Sequence, residues 1–363
     1  MITLALLAAC FTPATEPFDW SKQKFENEHT ETETLVLQPF EFDDLYCPDG
    51  QVAKFFAVYD EAVTTPMPLV VVFHSGSFDY VTGTVDPIDP LAGGHFAGED
   101  RLNAEWASDK VFETFGLLPG EQVDPTEVNT GTLPAALAEQ GAFALYPTNC
   151  WGDLWHNETG LHANADEDGF DRNGQFMAYA MSRFASTDAT TAAAWRADYG
   201  LDDLPVTLDS TGMYFVGLGE GGRAIPELLT RYVETGDTTG PTVNGILVDS
   251  SCDDLSYYVT NASTFPGYYE GLLRIFGDDL ATVSNTSLAT WFSTRTPTYD
   301  VQVYWSAADP QVPDECNSRL VALAQSNTAL QVTNYSLDSH VFLNSDMTSA
   351  MGAVSNLLGT AAR

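Results

Sequence analysis

The stretch Met213-Tyr214-Phe215-Val216-Gly217-Leu218-Gly219-Glu220-Gly221-Gly222-Arg223-Ala224-Ile225-Pro226-Glu227-Leu228-Leu229 decides the fold. Four apolar residues of β character run straight into a glycine cluster, and a helix-like run follows at once. A strand, a tight turn and a helix in that order are the repeating unit of a sheet flanked by helices.

The same alternation extends in both directions. Apolar β-rich runs recur at 35–42, 53–59, 69–73, 142–146, 213–216, 245–248, 301–305 and 330–335, which makes eight candidate strands. The middle runs are short and almost continuously apolar, as expected for strands buried on both faces of a parallel sheet. The first two alternate more, like edge strands. Helix-like stretches lie at 101–115, 134–140, 173–185, 222–233, 317–326 and 345–358. The expectation is an α/β domain over residues 33–363, with about eight mostly parallel strands flanked by helices. Two long connections interrupt it. One spans 79–103. The other, about 253–298, carries Tyr257, Tyr258, Phe265, Tyr268, Tyr269, Phe276, Trp291 and Phe292 and looks like a cap.

Three further segments carry chemistry. Leu69-Val70-Val71-Val72-Phe73-His74-Ser75-Gly76-Ser77 is a strand followed by a His-x-Gly loop. Val301-Gln302-Val303-Tyr304-Trp305-Ser306-Ala307-Ala308-Asp309-Pro310 is a strand followed by an acid. Asn334-Tyr335-Ser336-Leu337-Asp338-Ser339-His340 places a histidine after the last strand. Loop, glycine-rich elbow, acid and histidine in this chain order resemble the α/β-hydrolases, over roughly residues 33–360. The resemblance implies an α/β-hydrolase fold and an ester- or amide-type substrate. It puts Asp309 and His340 in the places of the triad acid and base, and Gly76, Ser77 and the Glu220 amide at the oxyanion hole. It also puts Gly219 where the family carries its nucleophilic serine. Glycine has no side chain, so the usual acyl-enzyme is excluded at that position and the chemistry is impaired or altered. His74, Trp151, Trp155 and His156 are candidate pocket residues, the last three because they follow a central strand at the edge where α/β sheets place their ligands. Trp151 and Trp155 equally suit packing beneath the cap.

Two other classes of function stay open. A non-catalytic protein of this fold would use the vacant pocket to bind a small-molecule ligand or a protein. A dinucleotide-binding protein would use Gly217, Gly219 and Gly222, which satisfy G-x-G-x-x-G. That fingerprint needs an acidic residue after the following strand, whereas Glu234 and Asp237 come before it. No cofactor or metal is expected. Asn164-Ala165-Asp166-Glu167-Asp168-Gly169 resembles the start of a calcium loop, but its twelfth position is Gln175 rather than a bidentate Glu.

The first ten residues are apolar and end in Leu7-Ala8-Ala9-Cys10, which resembles the lipobox of bacterial lipoproteins. Cys10 is then the lipidation site, residues 11–32 an acidic tether, and the bacterial cell envelope the expected location, at the outer membrane or cell surface; without lipidation the protein would be secreted or periplasmic. A net charge of -37 from 14 basic and 51 acidic residues excludes a nucleic-acid partner, because phosphate binding needs a basic surface. Only Lys22, Lys24, Lys54 and Lys110 supply lysine, a balance similar to that of proteins from salty environments. Four cysteines remain beyond Cys10, and two disulfides are expected in an exported chain. Three pairings are possible. Cys252 with Cys316 is favoured, because both would follow neighbouring strands at one sheet edge.

Overall fold

The computed structural model describes residues 23–24, 34–46, 52–73, 133–147, 190, 193–194, 204–219, 222, 225–226, 228–229, 242–265, 269, 287–307, 309, 312–335 and 347–359. Among the described residues, nine strands form one sheet: β1 Gln23–Lys24, β2 Leu35–Tyr46, β3 Val52–Asp60, β4 Met67–Phe73, β5 Phe143–Pro147, β6 Leu208–Leu218, β7 Thr242–Asp249, β8 Asp300–Ser306 and β9 Leu330–Tyr335. Their spatial order is β1-β2-β3-β5-β4-β6-β7-β8-β9. The pairings among β1, β2, β3 and β5 are antiparallel, and every pairing from β5 through β4 to β9 is parallel.

All eight expected strands are present. The ninth, β1, falls within the segment expected to be a tether, where Gln23 and Lys24 pair with Leu37 and Val36. An edge is therefore supplied by β1 rather than β2, and the other edge is β9. The described helices are α1 Leu133–Glu139, α2 Ser256–Thr260, α3 Leu288–Ser293, α4 Ser318–Ala324 and α5 Met347–Leu357, with a 3-10 turn at Asp314–Asn317 leading into α4. Residues 225, 226, 228 and 229 are helical as well.

Parallel strands buried on both faces need apolar side chains in succession, and β4 has them: Leu69, Val70, Val71 and Val72 are fully buried. Phe215 and Val216 of β6, Ile246 and Leu247 of β7 and Val301 of β8 continue the same core. Tyr59 of β3 stacks on Phe143 of β5 with ring centroids 5.2 Å apart. Helix α5 lies over β7 at Gly245, where a Cβ would stand 2.9 Å from Leu357 Cδ1. A larger residue there would require the Leu357 side chain to shift.

Chain order and spatial order part at β4. From β4 the chain steps to β5 on one side, then crosses back to β6 on the other. The carboxyl ends of β4 and β6 flank this reversal, which is where open α/β sheets place their ligands.

Candidate active site

Strand β6 delivers its last residue, Leu218, opposite Asp249 of β7, and Asp249 stands opposite Tyr304 of β8. This row marks the carboxyl edge of the sheet. Gly219 follows immediately with φ +53° and begins a 3-10 turn. A positive φ strains any L side chain and costs glycine nothing, so the bend is one that glycine takes freely.

The turn is tight because its other glycines let backbone meet backbone. A Cβ on Gly217 would lie 2.5 Å from Gly222 Cα, and one on Gly222 would lie 2.7 Å from Ser251 Cβ and 2.8 Å from Val248 Cγ1. Only hydrogen fits at either place, and the following helix is thereby drawn onto the ends of β6 and β7. Ile225, Leu228 and Leu229 bury the inner face of that helix. The strand thus bends sharply into a helix, a turn of the shape that a nucleophile elbow also has, here at a glycine that adopts it freely.

Asp309 sits beyond β8, five residues past Tyr304, and is 8% exposed. Its amide donates to the Ser306 carbonyl at 3.1 Å, and its Oδ1 accepts from the Val312 amide at 3.0 Å. These bonds hold the carboxylate at the same sheet edge as Gly219, two strands away. Neighbouring strands lie about 4.8 Å apart, so roughly 10 Å separates the two strand axes. Trp305 Nε1 donates to the Asp314 carboxylate, which secures the far end of the same loop.

The disulfide expected from strand neighbourhood is present. Cys252, three residues past the end of β7, is bonded to Cys316 after β8, and their Cα atoms are 5.0 Å apart. It ties the segment beside the elbow to the loop that carries Asp309. Asp253 then closes the base of the long insertion: its Oδ1 accepts from the Leu288 amide at 2.7 Å and its Oδ2 from the Ala289 amide at 3.2 Å. A carboxylate at the first amides of α3 satisfies donors that the helix itself cannot. Among the described residues of this insertion, the aromatic side chains of Tyr257, Tyr258, Phe265, Trp291 and Phe292 pack against the core. Tyr258, Trp291 and Phe292 are buried in the main core, and Phe265 meets Tyr258 edge-on at 5.4 Å.

The sequence segment Val248-Asp249-Ser250-Ser251 gave no signal of its own, yet it borders the elbow. Asp249 is fully buried and accepts the Ser250 hydroxyl at 2.9 Å. Ser250 has φ +54°, and its amide donates to the Tyr304 carbonyl at 2.8 Å. Asp249 is also where a dinucleotide fingerprint would need its acid, at the end of the next strand. Its carboxylate is turned inward to Ser250 rather than outward to a ribose.

Of the expected site residues, the structure places Gly219 and Asp309 at one edge, with Gly217 and Gly222 beside them. His74, Gly76, Ser77, Trp151, Trp155, His156, Glu220, His340, Cys10, Cys47, Cys150 and the 164–175 loop lie outside the described residues. The strands before two of them are nevertheless fixed. Phe73, the residue before His74, pairs with Gly217, and Tyr335, five residues before His340, pairs with Ser306. Among the described residues, no group of three or more His, Cys, Asp or Glu is arranged to hold a metal ion. No described helix is long and apolar enough to cross a membrane.

No protein-family model matches the chain, and no curated protein matches it. Solved structures do. A structure from a study of two fungal esterases of Rhizomucor miehei is similar over 90% of this chain and 83% of its own, with 11% identity and a TM-score of 0.52. Inhibited esterase B from Lactobacillus rhamnosis is similar over 91% of this chain and 90% of its own, with 12% identity and a TM-score of 0.50. At these identities the likeness is one of fold. Together with the strand order and the elbow, it defines the chain as an α/β-hydrolase fold.

Proposed function

We propose that this chain is a hydrolase of altered chemistry, acting on an ester- or amide-type substrate at the carboxyl edge of β4, β6 and β8. The observation that carries the reading is Gly219 at φ +53° in the turn after β6, at the same edge as buried Asp309. Gly219 stands where a serine hydrolase has its nucleophile. With no hydroxyl there, His340 would act as general base on a water, and Asp309 would fix the imidazole tautomer and stabilise its charged form. The amides of Gly76, Ser77 and Glu220 would hold the developing oxyanion, which requires no side chain at residue 219. His74, Trp151, Trp155 and His156 would line the pocket. Lipidation at Cys10 would hold the domain on the bacterial cell envelope.

A second reading is favoured by one observation, the absence of any side chain at Gly219. In it the same pocket binds a small-molecule ligand or a protein without turning it over. Turnover of p-nitrophenyl acetate by the form starting after Cys10, measured beside His340→Ala, separates the two. Hydrolysis that disappears in the variant supports the enzyme. Equal background rates support the binder.

A further inference from the structure

Both ends of the long insertion are tied to the segment that carries Asp309. At its start, Cys252 is bonded to Cys316, and the Asp254 amide donates to the Cys316 carbonyl at 3.1 Å. The Tyr257 hydroxyl donates to the Glu315 carboxylate. At its end, the Ser287 hydroxyl caps α3 by accepting from the Thr290 amide, while Asp253 holds the Leu288 and Ala289 amides. The two ends are thus closed on each other, and the start is closed on residues 315 and 316.

Arg319, in the first turn of α4, joins all of these. Its Nη2 donates to Thr290 Oγ1 at 3.0 Å, and its Nη1 lies 3.8 Å from Asp254 Oδ2. Asp254 is itself held, because its Oδ1 accepts from the Ser256 amide at 3.1 Å. A guanidinium suits this place, since its planar fork presents donors in two directions at once. A cation in the first turn of a helix opposes the macrodipole, so α4 gains nothing from Arg319 there. From Arg319 the connection runs back to the acid. The 3-10 turn 314–317 leads into α4, the Cys316 amide donates to the Pro313 carbonyl at 3.0 Å, and the Val312 amide donates to Asp309 Oδ1 at 3.0 Å.

We propose that Arg319 is a positioning residue of this site: through Thr290 and Asp254 it clasps both ends of the insertion to the loop that holds Asp309, so that order at the base of the insertion sets the order of the acid. The effect on turnover rests on the reading of the chain as a hydrolase, whereas the effect on Asp309 rests on the bonds alone. Arg319 acts through Asp309 and not on the substrate. Its side chain is 42% exposed, so each of its bonds is modest in water and the clasp can open without unfolding the sheet. Whatever engages the insertion therefore acts on Asp309 through these contacts.

The test compares Arg319→Ala and Thr290→Val with the wild type, all as the soluble form starting after Cys10. Thr290→Val removes one hydroxyl and keeps the shape of the side chain, so it reports on the clasp even where Arg319→Ala folds poorly. Hydrogen exchange at the Val312 amide, which Asp309 holds, should quicken about three- to tenfold in both variants, while exchange in β4 stays at the wild-type rate. With p-nitrophenyl acetate, kcat should fall about three- to tenfold at unchanged KM, because a displaced acid weakens the transition state and not the binding of substrate. Wild-type exchange at Val312 in both variants overturns the clasp, and so does a rise that spreads to β4. A raised KM at unchanged kcat overturns the positioning role. A wild type without turnover overturns the hydrolase reading alone, since exchange at Val312 still decides whether Arg319 holds Asp309.

Discussion

Gly219 and Ser250 leave neighbouring parallel strands at one level, each in a left-handed backbone conformation and each one residue past the pair Leu218 and Asp249. The elbow is thus half of a paired structure. Its packing partner is the end of β7, and a change on one side should be felt on the other.

Gly222→Ala should show this coupling. The new methyl would lie 2.7 Å from Ser251 Cβ, closer than side chains approach, so one of the two segments must shift. We expect a loss of about 1–3 kcal/mol in denaturant unfolding. Wild-type stability would show that the turn has more room than the geometry allows.

The Cys252–Cys316 bond closes a loop of sequence separation 64. By loop-closure entropy it should stabilise the fold by about 4 kcal/mol. Replacing both cysteines by serine should lower the urea midpoint accordingly, and adding reductant should shift the wild type towards the variant. No shift in either experiment would mean that the bond does not form in solution.

Asp253 bonds the first two amides of α3 from 35 residues away in sequence. Asp253→Ala leaves these donors without their carboxylate, so a loss of about 1–2 kcal/mol is expected. Hydrogen exchange should rise first at Leu288 and Ala289. Unchanged protection at both amides would refute the clamp.

Alkaline pH should unfold the protein through buried Tyr59 and half-buried Tyr299. Burial, reinforced by Glu61, raises the Tyr59 hydroxyl above its ordinary 10.0. Burial pushes Tyr299 up to about 12 against the opposing effects of Trp291 and Arg295. Both folded values exceed the unfolded one, so their stabilisation is complete below pH 10 and is lost as pH rises from there towards 12. Tyrosinate absorbance and circular dichroism should change together in that window. Tyrosinate appearing near pH 10 with the fold intact would contradict it.

Much of this was legible in the sequence because the central strands are apolar without interruption. Val70 to Phe73, Phe215 to Leu218 and Ile246 to Val248 admit few other placements. Strand β6 begins five residues earlier than expected, at Leu208, because Leu208 and Asp209 pair with Met67 and Pro68 of β4 ahead of a register irregularity, and Asp209, Ser210 and Gly212 carry no β signal to read. β1 is two residues long and carries no periodicity to read. The pairing of Cys252 with Cys316 could be anticipated because strand neighbourhood alone brings the two together. Asp249 and Ser250 could not be singled out. An Asp-Ser pair after an apolar strand is ordinary turn chemistry, and only the register with β6 and the sign of φ set it apart.

The most direct test of the turn after β6 is to place a hydroxyl in it. Gly219→Ser should fold with a loss of about 1–2 kcal/mol from its positive φ. If Gly219 occupies the nucleophile position beside Asp309 and His340, the variant should hydrolyse p-nitrophenyl acetate at least about tenfold faster than wild type, in line with the large effect of a triad member, and adding Asp309→Asn should remove the gain. A folded Gly219→Ser variant with no gain over wild type would contradict the assignment of this turn as the catalytic elbow.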